Sequence, residues 1–541
     1  MPRSHPVPAP VAVTVLTRDD APALRATRTP DGWAAGDVVV GIRPTEAALD
    51  ITVTAPTGVA RVAVRFPWGL PAGARVLGDA WERAYGDLHW GPLRPERVLP
   101  WYWAWYDPAG RRGGGVGVAL RPGAFASWSV DGEGATLWLD LHNGGEPVVL
   151  GERVLAAATV VADVSTGAPD DVVASLCDAI AGDLRPRDVG PLVGANNWYH
   201  AYGRGFDADA VLRDAATIRE LTEDDAYRPL SVVDAGWARG GEAHGGPWHE
   251  GLPGVFDDMA AVADRIEGAG CRPGLWLRPG ALARAQEGFV PRGGPRRGAR
   301  HLALDLTVEE NLRAVETAVR RITADWGYRL IKYDFTFFDL FGVHGREING
   351  TVLTEPGWHH ADRSLTNAEI LRAFYDRIRA AAGGAIVLGC GVPGHLAAGS
   401  IDVQRVGCDT SGLFWERTRR MGVNSLAFRQ PQNGRFFVVD PDCVPSTPGT
   451  PWEKNRQFLD VVARGGAALF VSIDPATRGG DVDRDVREAI GRSLAVQTGR
   501  AEAARPVDVL DTSTPRAWRD AAGQHDYRWL DDIGAWPLPV R

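Results

Sequence analysis

The chain has 541 residues, 45% apolar and 23% charged, the make-up of an ordinary globular protein long enough for two or three domains. A formal charge of −9 and the lack of any dense Lys/Arg run exclude the electrostatics of a nucleic-acid binder. No segment reaches the ~20 apolar residues of a bilayer span.

Met1 to Val15 carries Pro at positions 2, 6, 8 and 10 and lacks the apolar core of a secretory signal. The five cysteines (177, 271, 390, 408 and 443) are odd in number and lack paired metal-ligand spacing. Both features read as a reduced, cytoplasmic protein without a metal. From residue 11 to about 165 short alternating strands (VAVTVLT, ALDITVTA, VARVAVRF, GVGVALRP, ATLWLDL, ERVLAAATVVADV) are separated by Gly, Pro and Asp turns, which predicts a β-sandwich. Period-two geometry puts Trp101, Trp103 and Trp105 on one face, as inner-face packing. The alternative is that Trp81 or Trp101 leans into a neighbouring site. The 20 tryptophans overall suit either core filling or stacking on sugar rings.

From about residue 190 strands alternate with helices, the pattern of a parallel sheet. The strand candidates are LVGANNW, PLSVVDAGW, RPGLWL, LIKYDF, AIVLGC, VQRVGCD, RFFVVDPD and AALFVSI, with amphipathic helices such as DADAVLRDAATIREL and NAEILRAFYDRIRAAAG between most of them. Eight such units predict an α/β fold, a (β/α)8 TIM barrel. The expected domains are an N-terminal β-sandwich over 1–185, a barrel over 186–485 and a small C-terminal β domain over 486–541.

In such barrels the chemistry sits where strands end. LIKYDF ends with Lys332 and Asp334, which point to one side of the strand. Lys332 would keep Asp334 ionised, as a nucleophile requires, although an isolated KxD is also the pattern of a structural ion pair. VQRVGCD supplies Arg405 and, four residues on, Asp409. Two carboxylates from different strands aimed at one mouth suit glycoside hydrolysis, and a retaining mechanism sets them ~5–5.5 Å apart with the acid's pKa raised. Asp409 is therefore expected to titrate high. Asp234 with Trp237, Trp276 with Arg278, and Asp440 with Asp442 close other strands and suit hydroxyl binding and ring stacking.

Taken in order, GANNW, VDAGW, GLWL, KYD, GCGVP, RVGCD and VDPD resemble the galactosidase clan of glycoside hydrolases, families 27 and 36, and most of all the compact bacterial family 36 α-galactosidases. The resemblance covers about residues 190 to 475, and it implies Asp334 as nucleophile and Asp409 as general acid/base. It further implies sugar-side roles for Trp198, Asp234, Trp237, Trp276, Lys332, Cys390, Arg405 and Asp442, with no cofactor. Relatives that cleave α-galactosides usually carry two consecutive aspartates where this chain has Asp234 then Ala235. A pentopyranose such as β-L-arabinopyranose, which lacks the hydroxymethyl group, fits a site missing that ligand.

The leading reading is a retaining exo-hydrolase of terminal α-galactoside-like residues. Its alternatives are a β-L-arabinopyranosidase, another glycosidase or transglycosylase of that clan, and a non-catalytic carbohydrate-binding barrel. The expected partner is a small carbohydrate or glycoside, with no nucleic acid and no membrane, and a homo-oligomer is compatible with the sequence. An insertion from Asp339 to Thr366 contains Trp358, His359 and His360, read as a lid or surface loop rather than a metal site.

Overall fold

Alternation of buried and half-buried residues, as along Ala48–Thr54, gives the N-terminal strands one core-facing side each. They form two antiparallel sheets. One contains Ala12–Leu16, Arg61–Phe66, Phe125–Asp131 and Gly134–Asp140. The other contains Ala48–Thr54, Leu155–Thr166, Arg112–Val118 and Tyr102–Asp107. The computed structural model describes residues 7–30, 32–203, 205–239, 246–282, 288–294, 302–530, 534–536 and 538. Residues 1–6 of the N-terminal segment read above lie outside these.

The glycine-rich strand Arg112–Val118 has a packing reason. Helix Pro169–Ala181 lays Val172, Leu176 and Ile180, spaced one turn apart, directly on Gly113, Gly115 and Gly117. A β-carbon at Gly115 would stand 2.5 Å from Leu176, so no larger residue fits under the helix. Trp101 departs from the expected alternation. Its φ of 47° sets it just before the strand, and its ring stacks on His395 of the barrel at 4.9 Å and 9°.

The barrel follows as eight parallel runs. They are β1 (Val193–Asn196), β2 (Leu230–Val233), β3 (Arg272–Leu277), β4 (Leu330–Tyr333), β5 (Ile386–Gly389), β6 (Val403–Arg405), β7 (Val438–Asp440 and Val444–Ser446) and β8 (Leu469–Ile473). Each is almost wholly buried, because strands covered by helices on one side and filled by side chains on the other must be apolar along their length. β7 is broken at Pro441–Asp442, where Asp442 adopts φ 83°. Its first half pairs with β6 and its second with β8, which in turn pairs with β1, so the break closes the ring.

The connecting helices begin at polar caps. Asp207 accepts from the Ala210 N–H ahead of Ala208–Glu220, and Thr366 from the Glu369 N–H ahead of Asn367–Ala382. Helix Gly480–Gln497 runs through the expected boundary at residue 485 and delivers the chain to an antiparallel sheet of Arg505–Pro506, Ala517–Asp520 and Gly523–Asp526.

Polar connections also weld the sandwich to the barrel. Arg429 places Nε 2.6 Å from Asp79 Oδ1 and donates to the Glu82 and Val406 carbonyls at 2.7 and 3.0 Å. The 339–366 insertion docks on the sandwich rather than standing free: Asn143 Nδ2 donates to the Asp362 and Leu365 carbonyls, and the Gly145 N–H to that of Trp358. Within it His360 is buried against Asp305 at 3.1 Å. Among the described residues no group of three or more His, Cys, Asp or Glu could hold a metal ion, and no helix is long and apolar enough to cross a membrane.

Candidate active site

β4 carries Lys332 to the barrel mouth, and Asp334 follows at its end. Asp334 is 7% exposed, and its Oδ1 accepts from the Phe335 N–H at 2.6 Å. Phe335 has φ 66°, uncommon for a non-glycine residue, and turns the chain at once into helix Thr336–Phe341. Arg278 lies over the Phe335 ring at 4.5 Å and forms a buried ion pair with Asp339, pinning that turn. Opposite stands Gly391 of the GCGVP segment, where a β-carbon would lie 2.6 Å from Asp334 Oδ1. Glycine there leaves the carboxylate its room.

Lys332 pairs differently from the expectation. Its ammonium sits 2.7 Å from Asp234 Oδ2, because residues two apart on one strand stand about 6.6 Å apart along it while Asp234 reaches across the barrel interior. Burial alone would favour the neutral amine, but the Asp234 carboxylate raises the Lys332 pKa above its usual value. Asp234 also accepts from Asn196 Nδ2 at 2.7 Å and from the Ala235 N–H at 2.8 Å. The pair is thus a rigid array of polar groups.

Asp409 lies just beyond β6, its side chain 38% exposed. Arg405 Nη2 is 2.8 Å and Arg83 Nη1 3.5 Å from its Oδ1, and Arg417 Nε donates to its backbone carbonyl at 2.8 Å. The expected raised pKa is overturned. Desolvation pushes it up, but Arg405, Arg83, Arg417 and Lys332 together outweigh that and hold the carboxyl well below the usual range.

Asp334 and Asp409 line one cavity of about 190 Å³ together with Trp198, Asp234, Ala235, Trp276, Lys332 and Arg405. Three residues expected at the sugar stand behind the wall instead. Trp237 is fully buried, donating from Nε1 to the Trp276 carbonyl at 2.7 Å and meeting Trp248 and Trp326 edge to face or tilted. Cys390 is buried with Sγ 3.9 Å from Arg405 Nη1, and burial foremost pushes its thiol well above the usual range. Asp442 accepts from Arg405 Nη2 (2.7 Å), from the Thr410 N–H (2.7 Å) and from the Tyr199 hydroxyl, clamping both Arg405 and the backbone after Asp409. Neighbouring Asp440 is pushed up to about 6 by burial and by Asp442, against Arg405.

No family model matches the chain. Among solved structures it is similar to TtGalA, an α-galactosidase from Thermus thermophilus in complex with p-nitrophenyl α-D-galactopyranoside: 19% identity, TM-score 0.59, covering 96% of this chain and 99% of that one. It is similar also to the GH36 α-galactosidase AgaA A355E from Geobacillus stearothermophilus (14%, TM-score 0.60, 96% and 75%) and to the galactosidase domain of AgaSK (13%, TM-score 0.58, 96% and 74%). The fold is that of the GH36 α-galactosidases.

Within this GH36 fold the cavity has a second wall that the sequence reading missed. Arg83 and Tyr85 reach it from the sandwich, His344 and Arg346 from the insertion, and Arg417 from the short helix Trp415–Thr418 after β6. Residues 81–85 form no sandwich strand but run beside β6's extension: the Ala84 N–H donates to the Val406 carbonyl (2.9 Å) and the Cys408 N–H to that of Ala84 (2.8 Å). Glu82 anchors the segment, accepting from the Gly345 N–H at 3.1 Å. Burial would raise its pKa, yet Arg83 and His344 lower it to about 2. Trp81 and Trp101 stay outside the cavity, Trp81 packing on Phe125. The one sequence signal was the charged and aromatic run WERAYG, which has no strand alternation.

Proposed function

We propose that the protein is a retaining exo-glycoside hydrolase acting on terminal α-galactoside-like residues. The observation that carries this is the convergence of Asp334, from the end of β4, and Asp409, from beyond β6, on one small cavity. At about 190 Å³ it is below the ~300 Å³ and upward of pockets that enclose drug-sized ligands, which suits a single sugar ring. The p-nitrophenyl galactoside complex of TtGalA supports the choice of glycone.

In this reading Asp334 attacks the anomeric carbon as the bond to the leaving oxygen breaks and Asp409 gives that oxygen its proton. Asp409 then takes a proton from water, which attacks the same carbon and frees Asp334. Lys332 donates to, and Asp234 accepts from, the sugar hydroxyls, while the indoles of Trp198 and Trp276 cover its C–H faces. Asp442 positions the acid/base through Arg405 and Thr410.

A second reading has its own observation. Ala235 lines the cavity with a methyl group beside Asp234, so β-L-arabinopyranosides are a rival substrate class. Passing the glycosyl group to another sugar shares the first half of the mechanism and would appear as a new glycoside at high acceptor concentration. A panel of nitrophenyl glycosides, with NMR of the first-formed anomer, tests the whole. An α-sugar released from an α-galactoside is expected. An inverted product would remove the nucleophile from Asp334, and turnover of the arabinopyranoside alone would replace the glycone. The five buried free thiols suit a reducing compartment.

A further inference from the structure

Five cationic side chains, Arg83, Lys332, Arg346, Arg405 and Arg417, line the cavity beside three carboxylates, Asp234, Asp334 and Asp409. Lys332 is matched by Asp234, Arg405 by Asp409 and Asp442, and Arg83 by Asp409 and Glu82. Two more guanidinium groups line the same cavity without a carboxylate partner among the described residues. Arg417, half-buried, has Nε on the Asp409 carbonyl and Nη2 3.6 Å from Cys408 Sγ. Arg346, exposed, lies 5.5 Å over the Tyr85 ring.

Their side of the cavity follows from Asp409. The general acid must stand by the departing oxygen, and Arg417 and Arg83 both touch Asp409, so this wall faces the leaving group rather than the glycone. Guanidinium forks with N–H groups left over, one lying over a ring and one half-buried at the mouth, match a planar oxyanion in shape and charge. Neutral hydroxyls would use the donors but forgo the charge-assisted hydrogen bonds that an oxyanion makes with them.

We infer that the leaving-group side of this cavity is built for an anionic aglycone, one bearing a carboxylate or a similar small oxyanion, held by Arg417 and Arg346. The inference rests on the hydrolase reading above and names its substrate class. It also answers a chemical difficulty. The arginines keep Asp409 ionised, whereas a general acid must hold a proton when the leaving oxygen departs. An oxyanion set among the same arginines cancels part of their field and lets Asp409 take up that proton from solvent.

The test compares 4-(carboxymethyl)phenyl and 4-(carbamoylmethyl)phenyl α-galactosides, which differ in charge but little in phenol acidity. The wild-type kcat/KM should favour the acid by about tenfold or more at low salt. The preference should shrink as ionic strength rises. It should fall toward unity in Arg417→Gln and in Arg346→Gln; the latter, at an exposed position, keeps the test alive should the former fail to fold. Equal kcat/KM for the two in the wild type overturns the inference and leaves the hydrolase reading standing. If neither is cleaved, the hydrolase reading of this glycone fails instead, and calorimetric titration with 4-hydroxyphenylacetate and its amide decides the anion site. Tighter binding of the acid, lost in Arg346→Gln, supports it, and equal affinity overturns it.

Discussion

Replacing Arg83 with Gln removes a sandwich-domain cation whose Nη1 lies 3.5 Å from Asp409 Oδ1. At an effective dielectric of ~20, unit charges at that distance attract by about 4.7 kcal/mol. The Asp409 side chain is 38% exposed, so water screening cuts this to about 1–2 kcal/mol, or about one pKa unit. Arg83 favours the ionised carboxylate, so its loss raises the Asp409 pKa. In the proposed mechanism Asp409 is protonated to assist departure, hence the limb of kcat/KM that falls with rising pH should move up by about one pH unit. The assay is a pH profile with a poor leaving group, alongside Arg83→Lys, which keeps the charge and should keep the limb closer to wild type. An unmoved or lowered limb in Arg83→Gln, with circular dichroism and Tm near wild type, would refute the reasoning.

Other perturbations probe separate links. Asp334→Ala should lower kcat by about 10⁴-fold or more on an activated aryl glycoside, whereas Asp409→Ala should spare the glycosylation step, seen as a pre-steady-state burst, because a good leaving group needs little protonation. Ala235→Asp adds an acceptor beside Asp234 and should shift the galactoside to arabinopyranoside kcat/KM ratio by about tenfold toward the galactoside. Arg429→Met strands the buried Asp79 carboxylate and should destabilise the protein by about 3–5 kcal/mol, read as a lowered Tm by calorimetry.

The eight barrel runs were legible because strands buried on both sides must be continuously apolar, and most of them ended in polar residues that marked the mouth. Asp334, Asp409, Lys332, Asp234, Trp198, Trp276 and Arg405 accordingly meet at one cavity. Trp237 misled because it follows Gly236, whose φ of 118° breaks the strand geometry and turns the indole into the wall. Asp442 misled in the same way, at a φ of 83°. The Lys332 pairing was hidden because sequence reports neighbours along a strand and not across a ring. Arg83, Tyr85, His344, Arg346 and Arg417 sit on connections, where no periodicity says which way a side chain points. Two of them, Arg83 and Arg417, act with Arg405 to reverse the expected direction of the Asp409 pKa.

The rung that Ala84 makes with Val406 and Cys408 has a consequence for anyone dividing the molecule. A catalytic fragment cut out at the sandwich border would lose one side of its own entrance. Grafting a foreign N-terminal module onto this barrel would, for the same reason, take Arg83 and Tyr85 out of the cavity wall.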